Sequence, residues 1–224
     1  EVIQSKNGYA FTSDSVLLAN FVKAGHKDNV VELCAGCGVI SVIVGHKRKP
    51  KSLTLVEIQH SQADRAKRTF EHNKMQANIV EGRLQGIHKI IGEYAFDVCF
   101  ANPPYRLVSQ ACSENSEVAI STHEIEVDLK DLVIEAEKLL KFGGRFFCVY
   151  PASRLSELIY ELTSRKLEPK EMVLVQPKAG MNAELVLLSA TKGGKHGLVI
   201  HENIIQNDEN GNMAPIMRAI YNSK

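Results

Sequence analysis

A doubly wound, mostly parallel α/β sheet with helices on both faces is predicted by three features of this 224-residue chain. Apolar strand-like runs alternate with amphipathic helical segments, a glycine turn joins the first run to the first helix, and two runs near the end form a closing antiparallel pair. In order, residues 30–34 read as a strand, 39–46 as a helix, 53–57 as a strand and 62–74 as a helix. Residues 78–81 and 96–101 are short apolar strands. Residues 129–140 form a helix, because Leu129, Leu132, Val133, Ala136, Leu139 and Leu140 recur at helical spacing. Phe142-Gly143-Gly144 is expected to stop it, followed by a strand at 145–150 and a helix at 155–165. Residues 169–175 and 184–190 are the closing pair, the last strand antiparallel, which makes seven strands.

The whole chain, 1–224, reads as one domain, since its length and 44% apolar content support one sizeable core. Residues 1–28 precede the fold as an N-terminal segment, 106–128 form a long polar insertion, and 192–224 form a polar tail with an edge strand near 198–200 and a short helix. The insertion carries Ser109, Gln110, Ser113, Glu114 and Asn115, and a long loop beside a site is expected to be a substrate flap. With a formal charge of +1, affinity for nucleic acid is not read from net charge and needs a local basic patch. Two basic runs, 46–51 and 192–196, read as solvated loops before they read as RNA contacts. Five cysteines, an odd number, suit free thiols in a reducing cytoplasm, the expected location. Cys34 and Cys37 form a C-x-x-C inside a glycine turn without a second pair, which argues against zinc, so no metal is expected. No run reaches transmembrane length and no signal peptide is visible, so no membrane partner is expected; the chain opens at Glu1, which leaves a longer natural N-terminus open. The expected assembly is a monomer or weak homodimer.

Two constellations carry chemistry. Glu32-Leu33-Cys34-Ala35-Gly36-Cys37-Gly38 follows a strand and opens a helix. Gly36 and Gly38 permit close backbone approach to a ligand, and the helix start favours an anionic group. Glu57 ends the next strand, at roughly the ~20-residue offset where a carboxylate accepts from a ribose diol; Glu32 precedes the turn, where it can engage an ammonium group. Ser41 stands where dinucleotide enzymes carry a third glycine. The second constellation is Asn102-Pro103-Pro104-Tyr105, which follows the strand at 96–101. Two prolines remove two donors and fix two φ angles, so the strand ends in a rigid extended loop. Asn102 supplies an amide oxygen, prolyl carbonyls add acceptors and Tyr105 adds a flat ring, a set suited to holding a planar amine.

The glycine turn resembles the (Asp/Glu)-x-Gly-x-Gly-x-Gly loop of class I S-adenosylmethionine-dependent methyltransferases, with Cys34 in place of the first glycine, and Asn102-Pro103-Pro104-Tyr105 resembles the motif of those that methylate planar nitrogens. The resemblance implies a seven-stranded Rossmann-like sheet and S-adenosylmethionine as cofactor, with S-adenosylhomocysteine as product. It implies cofactor contacts from Glu32, Cys34, Gly36, Gly38, Glu57, Ile58, Arg83, Leu84 and Asn102. An acidic residue near the end of the third strand contacts adenine in that family, whereas here Arg83 stands near the usual place and Glu81 slightly earlier. Phe11-Thr12-Ser13-Asp14-Ser15-Val16-Leu17-Leu18, Thr122-His123-Glu124 and the Lys192-Gly193-Gly194-Lys195 tail resemble the bacterial branch that methylates adenine N6 in tRNA beside the anticodon of valine tRNA. That likeness implies that Phe11, Thr12 and Asp14 close over the methionine end of the cofactor, that the partner is tRNA, and that Asn102, Pro103, Pro104 and Tyr105 are catalytic. His123 fits a capping role as well as a catalytic one.

Rival readings stay open. Glutamine methylation in a release factor uses the same loop, although those enzymes carry an N-terminal helical domain and little precedes the glycine turn here. DNA adenine methylation lacks a visible target-recognition domain. A non-catalytic nucleotide-binding regulator is disfavoured by the intact Asn-Pro-Pro-Tyr, and a nicotinamide oxidoreductase by Ser41 and by the lack of a hydride-transfer constellation.

Overall fold

A computed structural model describes residues 1–6, 8–106 and 113–222. The elements run α1 (Ser13–Phe21), β1 (Asn29–Leu33), α2 (Val39–Arg48), β2 (Ser52–Glu57), α3 (His60–His72), β3 (Asn78–Glu81), α4 (His88–Ile91), β4 (Phe96–Ala101), α5 (Ser116–Thr122), α6 (Leu129–Leu139), β5 (Leu140–Pro151), α7 (Leu155–Ser164), β6 (Leu167–Lys178), β7 (Leu185–Lys192), β8 (Val199–Ile200), β9 (Ile204–Asn207) and α8 (Pro215–Asn222). Strand order is β3-β2-β1-β4-β5-β7-β6-β8, with β9 also paired to β6. The first five strands of that order pair in parallel, and β7 is antiparallel to both β5 and β6. The expected seven strands form the body of the sheet. The tail lengthens it to nine, because β8 and β9 lie end to end along the free edge of β6.

Both faces of the sheet are apolar and each is covered, as parallel strands require. Side chains alternate between faces. Val31 and Leu33 of β1, Cys99 and Ala101 of β4, and Phe146 and Cys148 of β5 join α6 and α7 in one core. Val30, Val98, Phe100, Phe147 and Val149 join α1, α2 and α3 in the other. Asp128 caps α6 by accepting from the Asp131 amide at 2.8 Å.

The structure corrects the expected helix stop at 142–144. Helix α6 already ends at Leu139, and β5 begins at Leu140, which pairs with Phe96. The register then jumps to Arg145 opposite Val98, so the glycines make a bulge rather than a cap. Both basic runs sit at the amino-terminal edge of the parallel strands, where α2 returns to β2 and antiparallel β7 ends. They are tied to the protein: Lys47 donates to Asn20 Oδ1 at 2.6 Å, Arg48 Nε to the Val22 carbonyl at 3.2 Å, and Lys192 to the Glu137 carbonyl at 2.5 Å.

Register places the opposite edge. Leu33 pairs with Val56 of β2 and with Ala101 of β4, and Glu57 pairs with Glu81 of β3. Cys34, Glu57, Glu81 and Asn102 therefore stand at one level, with Gly82 one residue beyond, at the edge where open α/β sheets place ligands.

On one flank a buried pair fastens α4 to α6. His88 Nδ1 lies 2.6 Å from Glu135 Oε2, with the two side chains 3% and 4% exposed. The Gly86 amide donates to Glu135 Oε1 at 2.9 Å. Burial presses the Glu135 carboxyl upward, and the bonds from His88 and the two amides outweigh it, leaving the group below its ordinary range. A carboxyl depressed by folding stabilises above its unfolded pKa and loses that contribution as pH falls through the folded value. Glu135→Ala is expected to cost about 3 kcal/mol near pH 7, as breaking a buried pair does, and to flatten the acid limb of stability against pH in urea titrations.

Candidate active site

The glycine turn folds by taking three residues into the left-handed region: Cys34 (φ 56°), Gly36 (φ 54°) and Gly38 (φ 79°). Gly36 and Gly38 adopt it freely, whereas Cys34 carries a Cβ there and is strained. A Cβ on Gly38 would lie 3.1 Å from Leu55 Cδ2 and 3.3 Å from the Phe70 ring, so this glycine serves helix packing. The Ala35 amide donates to the Val56 carbonyl at 3.0 Å and the Gly36 amide to Glu57 Oε2 at 2.8 Å, which stitches the turn to the end of β2.

Glu32 is 1% exposed. Its Oε2 accepts from the Ser41 amide at 3.0 Å and from the Ser41 hydroxyl, while its Oε1 has no hydrogen-bond partner among the described residues. Burial pushes this carboxyl up to about 8, against the two Ser41 bonds and with help from Glu57. Ser41 at the third glycine position is thus the partner that holds Glu32. Glu57 accepts from Gly36 on one oxygen and from the Gln59 amide at 2.9 Å on the other, and burial still holds it above its ordinary range. Glu32, with one oxygen unpartnered, and Glu57 beside it form a receptor for a cation and for donors.

These groups line a concave cleft, the setting small-molecule sites take. Val56, Ile58, Leu84 and Val127 give it an apolar wall. Tyr9 and Phe11 enter from the N-terminal segment, and Ile120 and Ser121 from α5. One carboxylate draws both covers down: Glu117 accepts from the Tyr9 amide at 3.0 Å, Ser61 Oγ at 2.9 Å, and Arg65 at 2.8 and 2.9 Å. A Cβ on Gly8 would lie 2.1 Å from that carboxylate.

Asn102 and Pro104 reach the cleft at the end of β4. Asn102 Nδ2 donates to Ser15 Oγ at 3.2 Å. The Tyr105 hydroxyl donates to Asp14 Oδ2 at 3.0 Å, its ring meets Tyr150 edge to face at 6.2 Å, and its carbonyl accepts from Arg154 at 3.1 Å. Arg154 is itself held by Glu124 at 2.6 Å and Glu157 at 2.7 Å. Tyr105 is therefore rigid, and burial, aided by Asp14, raises its hydroxyl well above the ordinary range.

Of the residues singled out in the sequence, Phe11, Glu32, Cys34, Gly36, Glu57, Ile58, Leu84, Asn102 and Pro104 converge on the cleft. Thr12, Asp14, Gly38, Arg83, Pro103 and Tyr105 are not among its lining residues. Thr12 precedes α1 at its N-cap position, and Asp14 meets Tyr105 rather than the cleft. Arg83 points outward to Glu126 at 2.7 Å, and its neighbours Gly82 and Leu84 line the cleft instead. His123 is buried at the C-cap of α5 with Nδ1 2.9 Å from Thr122 Oγ1, consistent with capping. Ser109 and Gln110 of the expected flap lie outside the described residues. Sequence reasoning missed Tyr9, Ser15, Gln59, Ser121 and Val127; only Ser15, beside Asp14, carried any local signal. No group of three or more His, Cys, Asp or Glu among the described residues is placed to hold a metal, and none of their helices is long and apolar enough to cross a membrane.

Glu117→Ala is expected to loosen both covers. Ligand dissociation from the cleft should quicken about tenfold, the equivalent of 1.4 kcal/mol, with the sheet intact by circular dichroism; stopped-flow fluorescence of a bound nucleoside analogue reads it.

The chain is 26% identical over 177 residues to the tRNA1(Val) (adenine(37)-N6)-methyltransferase of Phocaeicola vulgatus, spanning 79% of this chain and 74% of that one. It is 22% identical over 202 residues to the protein of the same name from Vibrio vulnificus, spanning 87% and 83%. Among solved structures, a protein from Agrobacterium tumefaciens described as a predicted O-methyltransferase superposes with a TM-score of 0.74 at 20% identity over 93% of this chain and 95% of that one. The geranyl diphosphate C-methyltransferase of Streptomyces coelicolor, solved with S-adenosyl-L-homocysteine, gives 0.58 at 16% identity over 80% and 75%. A match across residues 10–160, more than half of the chain and spanning the glycine turn, Glu57 and Asn102, establishes that it belongs to the Methyltransferase small domain family.

Proposed function

We propose that this methyltransferase moves a methyl group from S-adenosylmethionine to the exocyclic N6 of an adenine in tRNA, beside the anticodon of valine tRNA. The observation that carries the reading is Asn102: a side-chain amide on a proline-stiffened loop, at the mouth of the cofactor cleft, with its nitrogen engaged by Ser15 and its oxygen left for a planar amine. The two relatives above, named for this reaction, support the tRNA substrate.

The cleft fits the cofactor. Glu32 Oε1 would take the ammonium group, Glu57 the ribose hydroxyls, and the wall of Val56, Ile58, Leu84 and Val127 the adenine. When bound, S-adenosylmethionine supplies a methyl group already activated on a sulfonium. The protein's task is the nucleophile. The N6 lone pair is delocalised into the purine ring, and hydrogen bonds from N6–H to Asn102 Oδ1 and the Pro103 carbonyl localise it and aim it at the methyl carbon. Tyr105, fixed by Asp14 and Tyr150, is a platform for a base splayed out of its loop. The methylated nitrogen is acidic and gives its proton to solvent.

Asn102→Ala is expected to lower turnover by about 10²–10³-fold, the scale of losing a transition-state donor or acceptor, with cofactor affinity within about twofold of wild type. The assay is transfer of labelled methyl to bulk bacterial tRNA, release factor and duplex DNA in parallel, with nucleoside analysis. N6-methyladenosine in tRNA alone is the expected result, and label in release factor alone would overturn the substrate assignment.

Glu32 yields a second expectation, with a definite sign. Its folded pKa, about 8, lies above the unfolded value, so the folded apo protein holds a proton that the unfolded chain releases. Apo stability therefore falls as pH rises from the unfolded glutamate value through about 8. Glu32→Gln should remove that slope and raise the apo melting temperature, while weakening S-adenosylmethionine at least about tenfold through loss of a charged partner. Melting curves against pH and calorimetric titration measure the two effects.

A further inference from the structure

The first turn of α1 reaches the Asn-Pro-Pro-Tyr loop at both ends. Asp14 receives the Tyr105 hydroxyl at 3.0 Å, and the next residue, Ser15, receives Asn102 Nδ2 at 3.2 Å. Ser15 is 4% exposed and, like Asn102, lines the cleft. Asn102 Oδ1 takes no hydrogen bond from the described residues. The two ends of a primary amide have nearly the same shape, so packing alone does not decide which faces a ligand; here Nδ2 is the end that meets Ser15 Oγ, which leaves Oδ1 as the other. An acceptor amine needs the oxygen, because an NH₂ group facing another N–H is repulsive. From this juxtaposition we propose that Ser15 is a positioning residue: its hydroxyl occupies the amide nitrogen of Asn102, holds the amide plane and leaves the oxygen toward the methyl acceptor. The inference rests on the planar-amine reading of Asn102 given above.

Ser15 would then act on rate and not on cofactor binding. Its removal frees the amide to rotate and leaves Nδ2 without its buried partner. The same turn carries the tether to Tyr105, so α1 holds the catalytic loop at both of its ends.

The test compares Ser15→Ala and Ser15→Thr with wild type in the full chain. Three readouts are taken: turnover on bulk tRNA with release factor and duplex DNA alongside, calorimetric affinity for S-adenosylmethionine, and the Asn102 side-chain amide resonances, assigned by their loss in Asn102→Ala. For Ser15→Ala the expected result is an about tenfold fall in kcat, the size of one lost hydrogen bond. Cofactor affinity stays within about twofold, and the Asn102 amide protons shift and exchange faster. Ser15→Thr, which keeps the hydroxyl, restores kcat and the amide signature. Wild-type kcat or unmoved amide resonances in Ser15→Ala would overturn the proposal, as would a loss of cofactor affinity parallel to the loss of rate, the mark of a merely structural role. If wild type methylates none of the three acceptors, the substrate reading fails by itself, while a shifted Asn102 amide with unchanged cofactor affinity still supports the positioning role.

Discussion

The site depends on the in-register parallel pairing of β1 with its neighbours. Because Leu33 sits opposite both Val56 and Ala101, the residues one step beyond, Cys34, Glu57 and Asn102, leave the sheet side by side. Sliding one strand by a single residue would turn its apolar set to the wrong face and carry its functional side chain out of line. The two apolar cores, by fixing register, therefore also fix the distance between what binds the cofactor and what presents the acceptor. The bond from Gly36 to Glu57 locks that level at the turn itself.

Stability is given up at this same edge. Cys34 adopts a backbone conformation that favours glycine, and Glu32 buries a carboxylate with one oxygen unpartnered. Either feature would be a defect inside a core. Here each faces the cleft, where a cationic group can complete what folding leaves open. The opposite edge shows the contrary economy: Lys47, Arg48 and Lys192 are spent on carbonyls and amides that finish helices and strands. Three of the basic residues that stand close together in sequence are structural there.

The fold was legible wherever periodicity was strong. The strand at 78–81 and the strand at 96–101 match β3 and β4 residue for residue, and the helix read over 129–140 differs from α6 by its last residue. Glycine pairs misled, because Gly143 and Gly144 serve a bulge as readily as a helix stop, and the register jump opposite β4 is invisible in one strand's sequence. Within the site, residues tied to a local motif were recoverable: Glu32, Gly36, Glu57 and Asn102 follow from turn, offset and proline signals. Arg83 was misplaced because adjacent residues on an extended chain face opposite ways, so one residue of uncertainty exchanges a lining position for a solvent one. Tyr9, Gln59 and Ser121 were illegible, since they arrive from segments that meet only after Glu117 gathers them. Ser41 looked like a missing glycine until its carboxylate partner was seen.

Glu117 has a kinetic meaning beyond its contacts. The N-terminal segment and α5 are far apart in sequence, yet both close the cleft through one carboxylate that also grips α3. Each cover also has ties of its own, Ser121 of α5 to Gln59 and the Ile3 amide to Thr69, but the shared carboxylate couples them. Opening at Glu117 therefore moves both covers, and α5 in turn adjoins the acceptor loop, where the Arg106 amide donates to the Thr122 carbonyl at 2.9 Å.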